Sequence, residues 1–514
     1  MLGRARLVVP VVLALSFLLP SPSRAQAPEG KAAAPEAAKK ETKPLEEKVS
    51  RTKHEITLDG KRIPYMATAG TLVMRAEDGT PRASVFHISY VMDGVKDPAT
   101  RPVTFAFNGG PGGAAIWVHL GAFGPKRVEL DPEGFPLAPP ARLVDNDLSL
   151  LDVSNFVFVD PVSTGYSRAA QGVDEKEFHG LENDIESMAD FIRLWLTRNG
   201  RWASPKFLVG ESYATTRVAG LAEHLLVRHG MRMNGVVLIS TTLNHLYSNF
   251  DSGNDMPYVI FLPTYTAAAW YHKKLPPELS GDLRKTLKEV ESFAIEEYGP
   301  ALMMGDWLPA GRRRQIAEKL ARYTGLSIEY VERSNLRVEH ARFCKELLRD
   351  RGQTVGRLDV RFTARDLDAV GEYHEFDPSL TGVDAPFVEA TLDYVRRELG
   401  YQEDDLVYER ISQRVWPWNF PNHQGRYANL AERLRQAMTK NPAMRVFIAS
   451  GYYDLATPYF DADYTVAHMG LPETEKKHVR TGYYESGHMM YIRREDHRKF
   501  RSDVAEFLRE AAGR

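Results

Sequence analysis

Three residues in this chain could together perform nucleophilic catalysis: Ser212, Asp454 and His488. A serine hydroxyl is a weak nucleophile until a base removes its proton, and histidine can do so near neutral pH. A carboxylate fixes the orientation and tautomer of that histidine and stabilises its charged form. Each residue also has a plain structural reading. Ser212 could simply start a helix, Asp454 could cap one, and His488 is one of 15 histidines. What distinguishes them is the elements that precede them.

Residues 205–209 form a short apolar run of strand type, and residues 218–226 have helical spacing. Ser212 therefore sits in Gly210-Glu211-Ser212-Tyr213-Ala214, where a strand turns into a helix. This is the setting of a G-x-S-x-G elbow, with Ala214 in place of the second glycine. A buried strand, 445–450, runs into Gly451-Tyr452-Tyr453-Asp454, and a last strand, 478–484, runs into Glu485-Ser486-Gly487-His488. The chain order Ser, Asp, His is that of α/β-hydrolases. Asp454 and His488 are separated by enough chain for one helix and one strand. The much longer interval from Ser212 to Asp454 requires an insertion.

A fourth stretch follows the apolar strand 103–107: Asn108-Gly109-Gly110-Pro111-Gly112-Gly113. Such glycine density after a buried strand implies backbone amides that a ligand approaches closely. Phosphate binding is the rival use, but neither G-x-G-x-x-G nor the G-K-[ST] ending of a P-loop is present. The amides of Gly110 and Tyr213 are the candidates for holding a tetrahedral oxyanion.

Strands at 83–91, 103–107, 155–160, 205–209 and 235–240, with a helix at 181–199, predict an α/β fold with a mostly parallel central sheet. A hairpin is expected from 54–58 and 63–67 around Asp59-Gly60. Residues 246–423 interrupt the pattern as a largely helical cap insertion. Helices are expected there at 267–272, 283–287 and 313–320, a loop around Thr381-Gly382-Val383-Asp384, and helical character otherwise to about residue 434. The expected organisation is a signal peptide at 1–27, a disordered Ala/Pro/Lys/Glu linker at 28–50, a first part of the hydrolase domain at 51–245, the insertion, and a second part at 424–514.

The first of these segments has Arg4 and Arg6, an apolar run at 7–19, and Ala25-Gln26-Ala27 as a small-x-small cleavage site. The run is shorter than the roughly 20 residues that span a bilayer, so export with cleavage is expected rather than a stable membrane anchor, leaving the protein secreted or periplasmic. With 514 residues, 43% of them hydrophobic, a large core is available, and a net charge of −2 gives no electrostatic case for nucleic acid. Cys344 is the only cysteine, which excludes an intrachain disulfide and suggests buried packing in a helical segment.

These blocks together resemble the serine carboxypeptidase family. Phe107-Asn108-Gly109-Gly110-Pro111-Gly112, Gly210-Glu211-Ser212-Tyr213-Ala214 and Glu485-Ser486-Gly487-His488-Met489 match its three signatures, and Asp160-Pro161-Val162-Ser163-Thr164-Gly165-Tyr166-Ser167 resembles a fourth stretch. With one cysteine, the chain looks like a bacterial-type secreted member. The resemblance implies an α/β-hydrolase fold with a cap, no metal or cofactor, and removal of C-terminal residues from peptides. A peptide or small acyl compound would be the substrate and a monomer or homodimer the working form.

The resemblance also implies that Asn108 and Glu211, with Gly109 beside them, hold the substrate carboxylate. Two further carboxylate-holding positions of the family are Ala106 and Ala122 here. Arg217, five residues past Ser212, is a candidate replacement because a guanidinium can bind both carboxylate oxygens. Its alternative reading is an ion pair with a structural acid such as Asp160. An esterase or acyltransferase on the same triad and an inactive binding protein remain alternatives. A complete triad argues against the last.

Overall fold

The computed structural model describes residues 45–420, 423 and 425–513. The expected signal peptide at 1–27, and residues 28–44 of the expected linker, lie outside them. The last part of that linker is already ordered: β1 (Val49–Leu58) pairs antiparallel with β2 (Lys61–Arg75) through the turn at Asp59-Gly60. Both strands reach well beyond the expected hairpin. Pairing, not composition, orders residues 49–53, since each lies opposite a residue of β2.

The sheet continues through β3 (Pro81–Met92), β4 (Val103–Phe107), β5 (Asn155–Val159), β6 (Lys206–Glu211), β7 (Gly235–Ile239), β8 (Arg445–Gly451) and β9 (Val479–Tyr484). Its spatial order is β1-β2-β3-β5-β4-β6-β7-β8-β9, and the short strand Arg168–Ala169 adds to β3. From β5 to β9 all neighbours are parallel, whereas β1, β2 and β3 pair antiparallel and β3 meets β5 antiparallel. This is a mostly parallel α/β-hydrolase sheet with an antiparallel flank.

The parallel strands are apolar on both faces because both faces are covered. Leu208, Leu238 and Ile448 pack under α1 (Leu181–Arg198) and α2 (Tyr213–His229). Val209, Val237 and Ala449 face the opposite layer with Phe507 of the C-terminal helix Arg494–Ala511. All parallel strands point the same way, so their C-terminal ends share one sheet edge, where ligand sites form in such folds.

Between β7 and β8 run α3 (Met256–Tyr271), α4 (Leu283–Phe293), α5 (Ala310–Thr324), the short helix His340–Glu346 and α6 (Pro378–Arg397). The first four build a third apolar cluster that takes in Tyr453 and Leu455 just beyond β8. Cys344 is buried in it, and burial pushes its thiol pKa up. The expected loop at 381–384 is part of α6 instead. Asp377 caps this helix through the Ser379 amide, and Val383, Phe387 and Tyr394 supply a buried face that the weak helix formers around Gly382 obscure. Residues 398–420 are mostly irregular, with a short turn at Gln413–Val415, rather than helical as expected.

Arg217 is not at a substrate surface. Its side chain is 1% exposed, and its Nε donates to Asp184 Oδ2 at 2.8 Å. One terminal nitrogen donates to the Asn108 carbonyl at 3.0 Å, and the guanidinium lies 5.5 Å from the ring centres of Phe107 and Tyr213. The structural alternative holds in kind, with Asp184 of α1 as partner rather than Asp160. The pair ties α1, α2 and the loop after β4 together beneath the sheet edge. Arg217→Ala leaves Asp184 buried without its counter-charge and is expected to destabilise the protein by about 3–5 kcal/mol. Urea unfolding of the purified variant measures this, and a loss under about 1 kcal/mol would contradict the structural role.

Candidate active site

Ser212 follows β6 directly and begins α2 with φ 61° and ψ −131°, a strained conformation for a non-glycine residue. Such strain persists only where the surroundings enforce it. Here the Ser212 amide donates to the Ile239 carbonyl of β7 at 2.9 Å, and the Ser212 carbonyl accepts from the Thr215 amide at 2.8 Å. The loop after β4 lies against this turn. A Cβ on Gly109 would sit 2.5 Å from the Tyr213 nitrogen and 2.9 Å from Ser212 Cβ, so only glycine fits. The Gly110 and Tyr213 amides, both candidates for oxyanion binding, have no acceptor among the described residues.

Asp454 lies three residues past β8 and is fully buried. Its Oδ1 accepts from the Ala456 and Thr457 amides at 2.8 and 3.0 Å, and its Oδ2 accepts from the Thr457 hydroxyl at 2.7 Å. His488 Nδ1 reaches the same Oδ2 at 2.7 Å. A carboxylate can only accept, so Nδ1 carries the hydrogen and Nε2 of the neutral ring is left free to take a proton. Burial lowers the His488 pKa, but the charge and hydrogen bond of Asp454, and then the charge of Glu211, outweigh it and raise the pKa.

Ser212 and His488 line one cavity of about 140 Å³, together with Asn108, Gly109, Gly110 and Glu211. The Ser212 hydroxyl makes no hydrogen bond to the His488 ring among the described residues. Such contacts are often loose without substrate and tighten in its complex. Glu211 is buried beside them. Its Oε1 accepts from Asn108 Nδ2 at 2.8 Å, and its Oε2 accepts from the Tyr491 hydroxyl. Burial pushes its pKa up to about 7 against the nearby His488 charge. Asn108 in turn accepts from the Trp117 and Val118 amides at 3.1 Å, so its side chain is fixed. Asp160, in the fourth sequence block, supports the same loop: its Oδ1 accepts from the Ala115 amide at 2.8 Å.

The cavity's other wall comes from the insertion and was not foreseen from sequence. Arg357, Leu358, Leu380 and Ile411 line it, with Trp117 from the loop after β4 and Met489 beside His488. The same segment holds the histidine loop. The His488 amide donates to the Leu358 carbonyl at 2.7 Å, and the Gly487 amide donates to Asp359 Oδ2 at 3.0 Å. Asp359 is paired with Arg361, which donates to Ser486 Oγ at 3.0 Å. A Cβ on Gly487 would meet Asp359 Cβ at 2.4 Å. Thr457 and Tyr491 also escaped the sequence reading. Thr457 could have been found as a hydroxyl three residues past a buried acid, but Tyr491 carries no comparable signal. Ala106 and Ala122 are buried in the core and present no polar group.

The family model described as serine carboxypeptidase matches residues 79–289. Among curated relatives, serine carboxypeptidase-like 44 of Arabidopsis thaliana is 33% identical over 147 residues, 28% of this chain and 29% of that protein. Serine carboxypeptidase-like 41 of the same plant is 32% identical over 139 residues, 27% of this chain and 28% of that protein. The matched stretch thus spans less than a third of these relatives' length. A solved structure, the prohormone-processing carboxypeptidase Kex1(delta)p of Saccharomyces cerevisiae, superposes with a TM-score of 0.54 at 14% identity, covering 87% of this chain and 92% of that one. At that identity the likeness is one of fold. Ser212, the glycine loop and the Asp160 stretch fall inside the matched residues, while Asp454 and His488 lie beyond them. With its elbow and glycine loop inside the matched residues, the chain is similar to serine carboxypeptidases over residues 79–289, and it shares its fold with a solved carboxypeptidase.

Proposed function

We propose that this protein is an exported serine carboxypeptidase that removes C-terminal residues from peptides through an acyl-enzyme on Ser212. The observation that carries the reading is the 2.7 Å Asp454–His488 hydrogen bond opening into the cavity that Ser212 also lines. Export rests on the arginine-led apolar segment at the N-terminus, and among the described residues no helix is long and apolar enough to cross a membrane.

In this mechanism His488 Nε2 takes the Ser212 proton as Oγ attacks the scissile carbonyl carbon. The amides of Gly110 and Tyr213 hold the oxyanion that forms. As the tetrahedral intermediate collapses, the C–N bond breaks and His488 returns the proton to the leaving amine. Water, deprotonated by His488, then attacks the acyl-enzyme, and Ser212 regains its proton. Asn108, Gly109 and Glu211 receive the carboxylate of the leaving residue. With its pKa raised to about 7, Glu211 stays protonated in mildly acidic solution and can donate to that carboxylate rather than repel it.

Ser212→Ala is expected to abolish turnover and fluorophosphonate labelling while leaving the unfolding midpoint unchanged. Equal labelling of both proteins would remove Ser212 from this role. Asp454→Asn forfeits the tautomer control and should lower kcat by about 10⁴-fold, and a loss of less than about tenfold would assign the task to another acid.

The pH dependence follows from the raised Glu211 pKa. Hydrolysis of a free-acid peptide should fall as pH rises through about 7 and Glu211 ionises, while hydrolysis of an ester should not. Glu211→Gln removes one of the charges that raise the His488 pKa, so the acidic limb of ester hydrolysis should move to lower pH. Superimposable ester pH profiles for the two proteins would contradict this coupling.

A further inference from the structure

Among the described residues one cation on the cavity wall has no partner. Arg357 lines the cavity with Ser212 and His488, is half-buried, and its guanidinium forms no ion pair, side-chain hydrogen bond or ring contact. The neighbouring acids are engaged elsewhere. Asp377 accepts from the backbone amides of Arg357, Leu358 and Ser379, and Asp359 accepts from Arg361 and the Gly487 amide. The backbone of Arg357 is fixed independently of its side chain, because its carbonyl accepts from the Leu455 amide at 2.9 Å. A partly desolvated guanidinium held unpaired at a ligand cavity calls for an anion, and its planar fork suits a carboxylate.

We propose that Arg357 is a specificity-determining residue that selects substrates with an acidic side chain next to the scissile bond. This rests on the carboxypeptidase reading given above. The terminal carboxylate of the substrate is assigned to Asn108, Gly109 and Glu211 after β4 and β6. Arg357 instead stands on the insertion wall with Leu358, Leu380 and Ile411, whose apolar surface suits the methylenes of a glutamyl side chain. Glu211 does not oppose such a substrate below pH about 7, where it is protonated, and the remaining charged group of the cavity, His488, is never negative.

The test compares matched peptides carrying Glu or Gln, first at the leaving residue and then at the residue before it. In the wild type, kcat/KM should favour Glu at one of these positions by at least about tenfold, ~1.4 kcal/mol. Arg357→Gln should abolish that preference, Arg357→Lys should keep part of it, and Arg357→Glu should shift it to Lys at the same position. Binding of the same peptides to Ser212→Ala, measured by isothermal titration, should show the same ranking without turnover. Equal affinity for the Glu and Gln peptides at both positions, or a Glu preference that survives Arg357→Gln, overturns the proposal. So does an Arg357→Gln effect confined to the choice between free acid and amide, which would place the guanidinium on the terminal carboxylate. Failure of the carboxypeptidase reading is read separately, as a wild type that cleaves no peptide in a Ser212-dependent way.

Discussion

Asp454 is removed from water, and a carboxylate in that position has to be met by donors on every side. Two backbone amides and the Thr457 hydroxyl supply three of them, all from the turn that Asp454 itself begins. The fourth is His488 Nδ1, 34 positions further on, and that bond ties the ends of β8 and β9 together. Because the acid's remaining capacity is taken locally, the histidine is left with one tautomer and one orientation. The rest of the sheet edge is arranged around it: β6 presents Ser212 in a conformation the neighbouring strand holds, and the glycine loop presses against that turn closely enough to exclude a side chain.

The insertion contributes to this edge through both backbone and side chains. Residues 358–361 accept the His488 amide, receive the Gly487 amide on a buried carboxylate, and brace Ser486 through Arg361. In the proposed mechanism the general base is thus oriented from both sides, by Asp454 on the sheet and by a segment more than 90 residues earlier in the chain. Two arginines show how burial decides a role. Arg217 is paired with Asp184 and locks helices beneath the site, while Arg357 is held at the cavity and forms no ion pair among the described residues.

The parallel strands before Ser212 and Asp454 were legible because each is a largely apolar run buried on both faces, whereas the strand before His488 is an edge strand read from its place after a helix. The glycine loop was legible for a related reason, since close approach of backbones admits no Cβ. What the sequence concealed depended on tertiary partners. Residues 49 and 50 read as the end of the linker and are strand because β2 pairs with them. Residues 381–384 read as loop and are helix because Asp377 caps α6 and its buried face meets the core. Arg217 has a composition-neutral setting, and only the position of Asp184 one helix earlier decides that it faces inward. Arg357, Leu358 and Asp359 stand in a short irregular stretch whose contacts are all long-range, so no local period marks them.

The most direct test of a Ser212 acyl-enzyme is to trap it. Rapid mixing with an activated ester, acid quenching and intact-protein mass spectrometry, followed by peptide mapping, would report whether and where acyl mass accumulates. The mechanism predicts one acyl group per chain, on the peptide that contains Ser212, decaying as product appears. Turnover with no covalent adduct, or an adduct on any other residue, would contradict it.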